Sequence, residues 1–228
     1  MIAPLTLAAM IDQTWLKPAA PVTDALRWIE ESASVGFAAL CVPPFLTERT
    51  EQRLAGSPTR TCTVCGFPFG FEDTADKAAQ ARHLVGLGAQ EVDVVMNIAA
   101  MIDGDHDYVR KDLAAVATAV VEASDSTATL KVILETGYLG SEQIARASEI
   151  AVLAGAHFVK TSTGFGPRGA SVADIETIRV AIGPEIGIKA SGGIRDLDAA
   201  LELIEAGATR IGTSAGIEII SSAQARWS

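Results

Sequence analysis

Apolar residues fall along this chain in two alternating spacings. Short β-branched or aliphatic runs occupy 37–42, 60–67, 91–98, 130–136 and 209–214, with two more ending at Lys160 and Lys189. Each is followed by a stretch whose apolar positions lie three or four apart, as one helix face requires. The clearest are Ile144, Ala147, Ile150, Ala151 and Ala154, then Ile175, Ile178 and Ile182, then Leu197, Ala200, Leu201 and Ile204. Predicted helices cover 22–35, 47–54, 74–86, 105–124, 141–153, 171–182 and 196–206. Gly36, Pro43-Pro44 and Gly88 punctuate the early units, and Ser171-x-x-Asp174 reads as a capping box. At the N-terminus a short helix over 5–12 precedes a weak extended piece over 11–17 that Pro18 ends. Seven clear strand-then-helix units and one weak one predict the α/β class. The expected fold is a single (β/α)8 TIM barrel over 1–228 with a short N-terminal helix, favoured over an open sheet.

Composition narrows the function classes. Hydrophobic residues make up 49% and aromatics 5%, so the core is aliphatic, as buried parallel strands demand. The formal charge is −10, which excludes a basic nucleic-acid or anionic-membrane surface and means that any anionic ligand needs a local site. No apolar run approaches the ~18 residues of a membrane span and no export signal opens the chain, so a cytoplasmic protein is expected. Cys41, Cys62 and Cys65 are too few for a disulfide framework. Cys62 and Cys65 spell C-x-x-C within a strand, where residues three apart face opposite sides, so they read as structural thiols. His83, His106 and His157 sit at no metal-ligand spacing, and no metal is expected.

The chemistry gathers in two segments of the same grammar. Lys160-x-Ser162-x-Gly164 and Lys189-x-Ser191-x-Gly193 each follow an apolar run. One helix separates them, so the runs are neighbouring strands with both lysines near the C-terminal ends, where barrel active sites lie. Two ammonium groups in one cavity disfavour each other's charge, and burial acts alike, so one lysine can be a neutral amine fit for imine formation. Asp93 sits in an apolar strand, where an unpartnered carboxylate would cost several kcal/mol; it is expected to meet the lysines. A stabilising ion pair is the bland alternative. Glu135 reads either as a network residue that orients a lysine or as structure alone. Thr163-Gly164, Gly192-Gly193 and Ser214 close successive βα loops and could offer N–H and hydroxyl donors to a phosphate, with plain tight turns as the alternative.

Val159-Lys-Thr-Ser-Thr-Gly-Phe165, Ile188-Lys-Ala-Ser-Gly-Gly-Ile-Arg195, Glu91-Val-Asp-Val-Val-Met-Asn-Ile98, Leu130-Lys-Val-Ile-Leu-Glu-Thr136 and Ala206-Gly-Ala-Thr-Arg-Ile-Gly212 resemble the signature segments of the 2-deoxy-D-ribose-5-phosphate aldolase family, from Ile11-Asp12 to about Ile220. The resemblance implies a cofactor-free class I aldolase in deoxynucleoside breakdown, acting on a phosphorylated sugar and aldehydes. Lys160 matches the Schiff-base lysine, Lys189 the lysine that perturbs its pKa, and Asp93 the proton relay; Asp12 and Cys41 match positions near the substrate. Four features depart from the family pattern. Gln13 replaces a frequent histidine, Pro43 a frequent asparagine and Ala215 a phosphate-loop serine, and no tyrosine follows Tyr138. A phosphosugar isomerase or epimerase, or a non-catalytic phosphosugar sensor, is the alternative on the same barrel. The sequence leaves a homodimer or homotetramer open.

Overall fold

The computed structural model describes residues 2–227. Eight parallel strands close into a barrel in sequence order: β1 (Ile11–Thr14), β2 (Ala39–Val42), β3 (Arg60–Cys65), β4 (Glu91–Val95), β5 (Thr129–Ile133), β6 (Phe158–Lys160), β7 (Gly187–Ser191) and β8 (Arg210–Thr213). The closing pair brings Asp12 opposite Gly212. Outside lie α2 (Val22–Ala33), α3 (Thr47–Leu54), α4 (Thr74–Gly86), α6 (His106–Ser124), α7 (Ser141–Leu153), α8 (Val172–Ile182), α9 (Leu197–Glu205) and α10 (Gly216–Trp227). Two short helices complete the chain, α1 (Pro4–Ala8) at the N-terminus and α5 (Ile98–Asp103) after β4. The expected (β/α)8 barrel with its leading helix is what forms, and the weak N-terminal piece is a true strand.

Some boundaries differ from the sequence reading for local reasons. The first helix stops at Ala8 and the first strand at Thr14, which removes the overlap of the two predicted segments. The run over 91–98 ends at Val95, because the side chain of Asn97 accepts the N–H of Ala100 and starts α5 there. Ser171 caps α8 by accepting the N–H of Asp174, but the return half of the capping box is missing. The Asp174 carboxylate turns instead to Arg168 and to the hydroxyl of Thr136.

Strand alternation divides the buried residues into two sets. Val92, Val94, Leu130, Val132, Val159, Ile188, Ala190 and Ile211 point outward and join one large cluster with the helices. Ala39, Cys41, Cys62 and Val64 pack inside the barrel, while Cys65 belongs to the outer layer, where its thiol donates to the carbonyl of Lys77. Cys62 and Cys65 therefore face opposite ways, as the strand period required. Among the helices, α4 and α6 share a buried ion pair, Lys77 to Asp112 at 2.7 Å. No described helix is long and apolar enough to cross a membrane.

Candidate active site

The inner faces of six strands supply seven ionisable groups to the barrel. Asp12 comes from β1, Glu91 and Asp93 from β4, Lys131 from β5, Lys160 from β6, Lys189 from β7 and Arg210 from β8. The three carboxylates and three lysines are each 3% exposed or less. Lys160 and Lys189 sit opposite each other in the β6–β7 register, and each amino group lies 2.7 Å from Oδ2 of Asp93. Lys131 reaches the other oxygen, Oδ1, at 2.8 Å and ion-pairs with Glu91 at 2.6 Å. Asp12 ion-pairs with Lys189 and Arg210, both at 2.5 Å. Arg210 also holds Glu91 at 3.1 Å and lies over the ring of Phe158.

Charge states follow from these contacts. Burial opposes ionisation of Asp93, but Lys131, Lys160 and Lys189 outweigh it and hold the carboxyl well below the usual carboxylate range. Asp12 is likewise buried and likewise held low, by Lys189, Lys131 and Arg210. Burial alone would discharge Lys189, yet Asp12 and Asp93 raise its pKa above the ordinary lysine value, so it keeps its proton at neutral pH. Lys131 is raised in the same way, burial being outweighed first by Asp93. The two lysines singled out in the sequence are thus not bare like charges, because a carboxylate oxygen stands between them.

Of the seven groups only Lys160 lines the cavity of ≈ 350 Å³ at the C-terminal end of the strands. Thr163, Gly164, Gly192, Gly193 and Ser214 line it too, so the glycine-rich loops do converge on one space. Arg195 and Lys17 add two cations to the wall that the sequence reading did not single out. The two lysine motifs are stitched together above the strands. Ser191 donates its hydroxyl to the carbonyl of Ser162 at 2.5 Å, and its N–H goes to the hydroxyl of Thr161. Gly192, at φ 88°, lies so close to Gly169 that a Cβ would sit 2.9 Å from that residue's Cα. Only glycine fits there.

Other expected site residues take different positions. Asp12 and Cys41 do not line the cavity; both are fully buried within the barrel, and Asp12 acts on Lys189. The Cys41 thiol is shifted down, chiefly by its hydrogen bond with Cys62, while burial first of all pushes the Cys62 thiol up. Cys62 in turn donates to Oδ1 of Asp93. Gln13 accepts the N–H of Gly216 at 2.9 Å and so anchors the start of α10 beneath Ser214. Pro43 lies in the wall of a neighbouring apolar pocket that Lys160 and Lys189 do not line. Thr163 has both donors turned inward, its N–H (3.2 Å) and its hydroxyl both going to Oε2 of Glu135.

Lys131, Glu91 and Arg210 escaped the sequence reading. The signal that finds them is the period of two, since Glu91 and Asp93, Lys131 and Ile133, and Arg210 and Gly212 share faces. Among the described residues, Cys41, Cys62 and Asp93 could hold a metal ion by proximity, as could Asp12, Cys62 and Glu91. In both sets every carboxylate is already in an ion pair with lysine, and those ammonium groups oppose a further cation.

A parallel (β/α)8 barrel with a buried lysine facing a cavity and a carboxylate in contact with it fits an aldolase-type site. Comparison agrees: residues 6–222 match the DeoC/LacD family aldolase, and the chain belongs to that family. Deoxyribose-phosphate aldolase 2 of Bacillus licheniformis is 46% identical over 222 residues, 97% of this chain and 98% of that one. Among solved structures, QR15, an aldolase, superposes with TM-score 0.88 at 38% identity, covering 96% of both chains. The deoxyribose phosphate aldolase from Aeropyrum pernix, described as having a unique tetrameric structure, superposes with TM-score 0.89 at 29% identity, covering 98% of this chain and 93% of that one. The chain is therefore an aldehyde-lyase.

Proposed function

We propose that the enzyme reversibly cleaves 2-deoxy-D-ribose 5-phosphate to D-glyceraldehyde 3-phosphate and acetaldehyde through an imine on Lys160. The observation that carries this reading is the placement of Lys160. It alone among the interior ions faces the cavity, while Lys189 beside it keeps its charge. Charge counting supports the same role. Asp12, Glu91 and Asp93 supply three negative charges, and Lys131, Lys189 and Arg210 supply three positive ones. Lys160 would be a fourth cation on these three carboxylates, sharing Asp93 with Lys131 and Lys189, and the imine chemistry proposed here uses it as the amine. Lys189 is then the fixed charge beside it.

The amine attacks C1 of the open-chain sugar and, after loss of water, forms an iminium. A base takes the C3 hydroxyl proton, the C2–C3 electron pair moves into the iminium as that bond breaks, and D-glyceraldehyde 3-phosphate leaves. Protonation of the remaining enamine at its methylene carbon, then hydrolysis, releases acetaldehyde and the lysine. Asp93 lies 2.7 Å from the Lys160 nitrogen and serves with water as the proton carrier. Gly164, Gly192, Gly193 and Ser214, with Arg195 in the same cavity wall, receive the 5-phosphate. The relatives' names support this substrate, and the role assigned is breakdown of deoxynucleoside-derived sugar phosphate by a cytoplasmic homo-oligomer.

Borohydride added with acetaldehyde tests the reading. A reduced adduct mapping to Lys160, lost together with turnover in Lys160→Ala, is expected. An adduct on Lys189 would exchange the two roles. No adduct on either would refute the imine and favour a phosphosugar isomerase or a sensor.

A further inference from the structure

Glu135 is placed at a cost. It is the last residue before a 3-10 turn, 1% exposed, with φ 55° and ψ 61°, a left-handed backbone for a residue that has a Cβ. The hydrogen bonds on either side explain the conformation. The N–H of Leu134 goes to the carbonyl of Lys160, and that of Thr136 goes to the carbonyl of Thr161, both at 2.9 Å. Residues two apart in the segment just past β5 thus meet adjacent residues where β6 ends. Glu135 is the extra residue between these two bonds, and, as in a bulge, the extra residue re-aims its side chain.

The extra residue aims its carboxylate under the loop that follows Lys160. One oxygen, Oε2, takes both the N–H and the hydroxyl of Thr163, and that hydroxyl in turn accepts the N–H of Phe165 at 3.0 Å. The other oxygen, Oε1, is buried without a hydrogen-bond partner beneath Gly166, where a Cβ would lie 2.8 Å from it. A second clamp holds the far side of the same loop, where Arg168 donates to the carbonyl of Thr136 and ion-pairs with Asp174. Backbone strain, a buried carboxylate and an orphaned oxygen all serve one loop, and that loop supplies Thr163, Gly164 and Phe165 to the cavity wall.

We propose that Glu135 is a positioning residue for phosphate recognition: it pins Thr163 from below so that the backbone at Gly164 is held against the anion. Thr163 then contributes no donor of its own to the ligand, both being spent on Glu135. This rests on the aldolase reading above and adds a specificity determinant to it.

Glu135→Gly removes the clamp in a residue that tolerates the left-handed backbone, so a loss is not due to added strain there. The expected outcome is a rise of tenfold or more in KM for 2-deoxy-D-ribose 5-phosphate and in the inhibition constant of inorganic phosphate. KM for unphosphorylated 2-deoxy-D-ribose and kcat should stay within about threefold. Glu135→Gln, equal in length and still an acceptor, should recover most of the phosphate affinity. Thr163→Val removes the hydroxyl from the other side; it should weaken phosphate alike, and its effect should not add to that of Glu135→Gly. If Glu135→Gly fails to fold, Thr163→Val carries the test. A folded variant with unchanged phosphate constants overturns the proposal, and so does an equal loss on both sugars. Imine trapping on the parent enzyme is a separate arm, so failure of the aldolase chemistry is told apart from failure of the clamp.

Discussion

Lys160 and Lys189 share one acceptor, each 2.7 Å from Oδ2 of Asp93. The pair differs in what lies behind it. Lys189 has Asp12 as a second carboxylate, whereas Lys160 has Asp93 alone and opens to the cavity. Lys189→Leu should therefore convert Lys160 into the counter-ion that the remaining carboxylates need. Turnover at neutral pH is expected to fall by orders of magnitude and to return in part at alkaline pH. A flat pH profile with the same loss would assign Lys189 to substrate contact instead.

Lys131 tests the charge count independently, since it does not line the cavity. Lys131→Met removes a cation 2.6 Å from Glu91 and 2.8 Å from Asp93, and breaking such buried pairs costs about 3–5 kcal/mol. Both that loss in urea unfolding and an alkaline rescue of activity like that of Lys189→Leu are expected. A stability change below about 1 kcal/mol, the range of exposed pairs, would show that the network does not bind as tightly as its geometry implies.

Acid should unfold the barrel through Asp12 and Asp93. Both carboxyls are held below the ordinary range, so the unfolded chain takes up their protons near pH ~3.9 while the folded barrel does not. Their stabilisation is fully present above that pH and is lost as pH falls toward the folded values, by about 1.4 kcal/mol per pH unit for each. Denaturant melts between pH 5 and 2.5 measure the slope, and stability constant below pH 3.5 would contradict it.

Ser214 has the one side-chain hydroxyl in the stretch from Ser214 to Gly216. Ser214→Asp places a negative charge at the cavity wall and should raise KM for the 5-phosphate substrate at least tenfold, with unphosphorylated deoxyribose much less affected. Equal effects on both sugars would move the phosphate elsewhere.

Activity should also survive exhaustive dialysis against EDTA. The donor sets around Asp93 and Asp12 are engaged by lysines, and none of the proposed steps uses a Lewis acid. Loss of turnover that zinc or cobalt restores would place the enzyme in a metal-dependent class.

The fold was legible because hydrophobic period and strand-helix alternation are local properties, and the facing of Lys160 and Lys189 followed from two like motifs one helix apart. Asp93 was found because a carboxylate among valines asks for a partner. The partners of Lys131 were harder, because a lysine at the start of a strand also reads as a solvated edge; only closure of the barrel shows that its tip points to Glu91. Asp12 and Cys41 carried a family position but no depth. Thr163 lines the cavity as its position suggested, but the turning of both its donors to Glu135 depends on a contact between distant segments that the sequence does not display.

Closure of β1 on β8 sets an order on how this enzyme comes into being during synthesis. Asp12 is synthesised well over a hundred residues before Lys189 and Arg210, its counter-ions. Until they arrive, folding the early strands inward would strand carboxylates in an apolar interior, which penalises a prematurely collapsed half-barrel. Truncated products lacking β8, in which Asp12 has lost Arg210, should therefore be ready substrates for proteolysis.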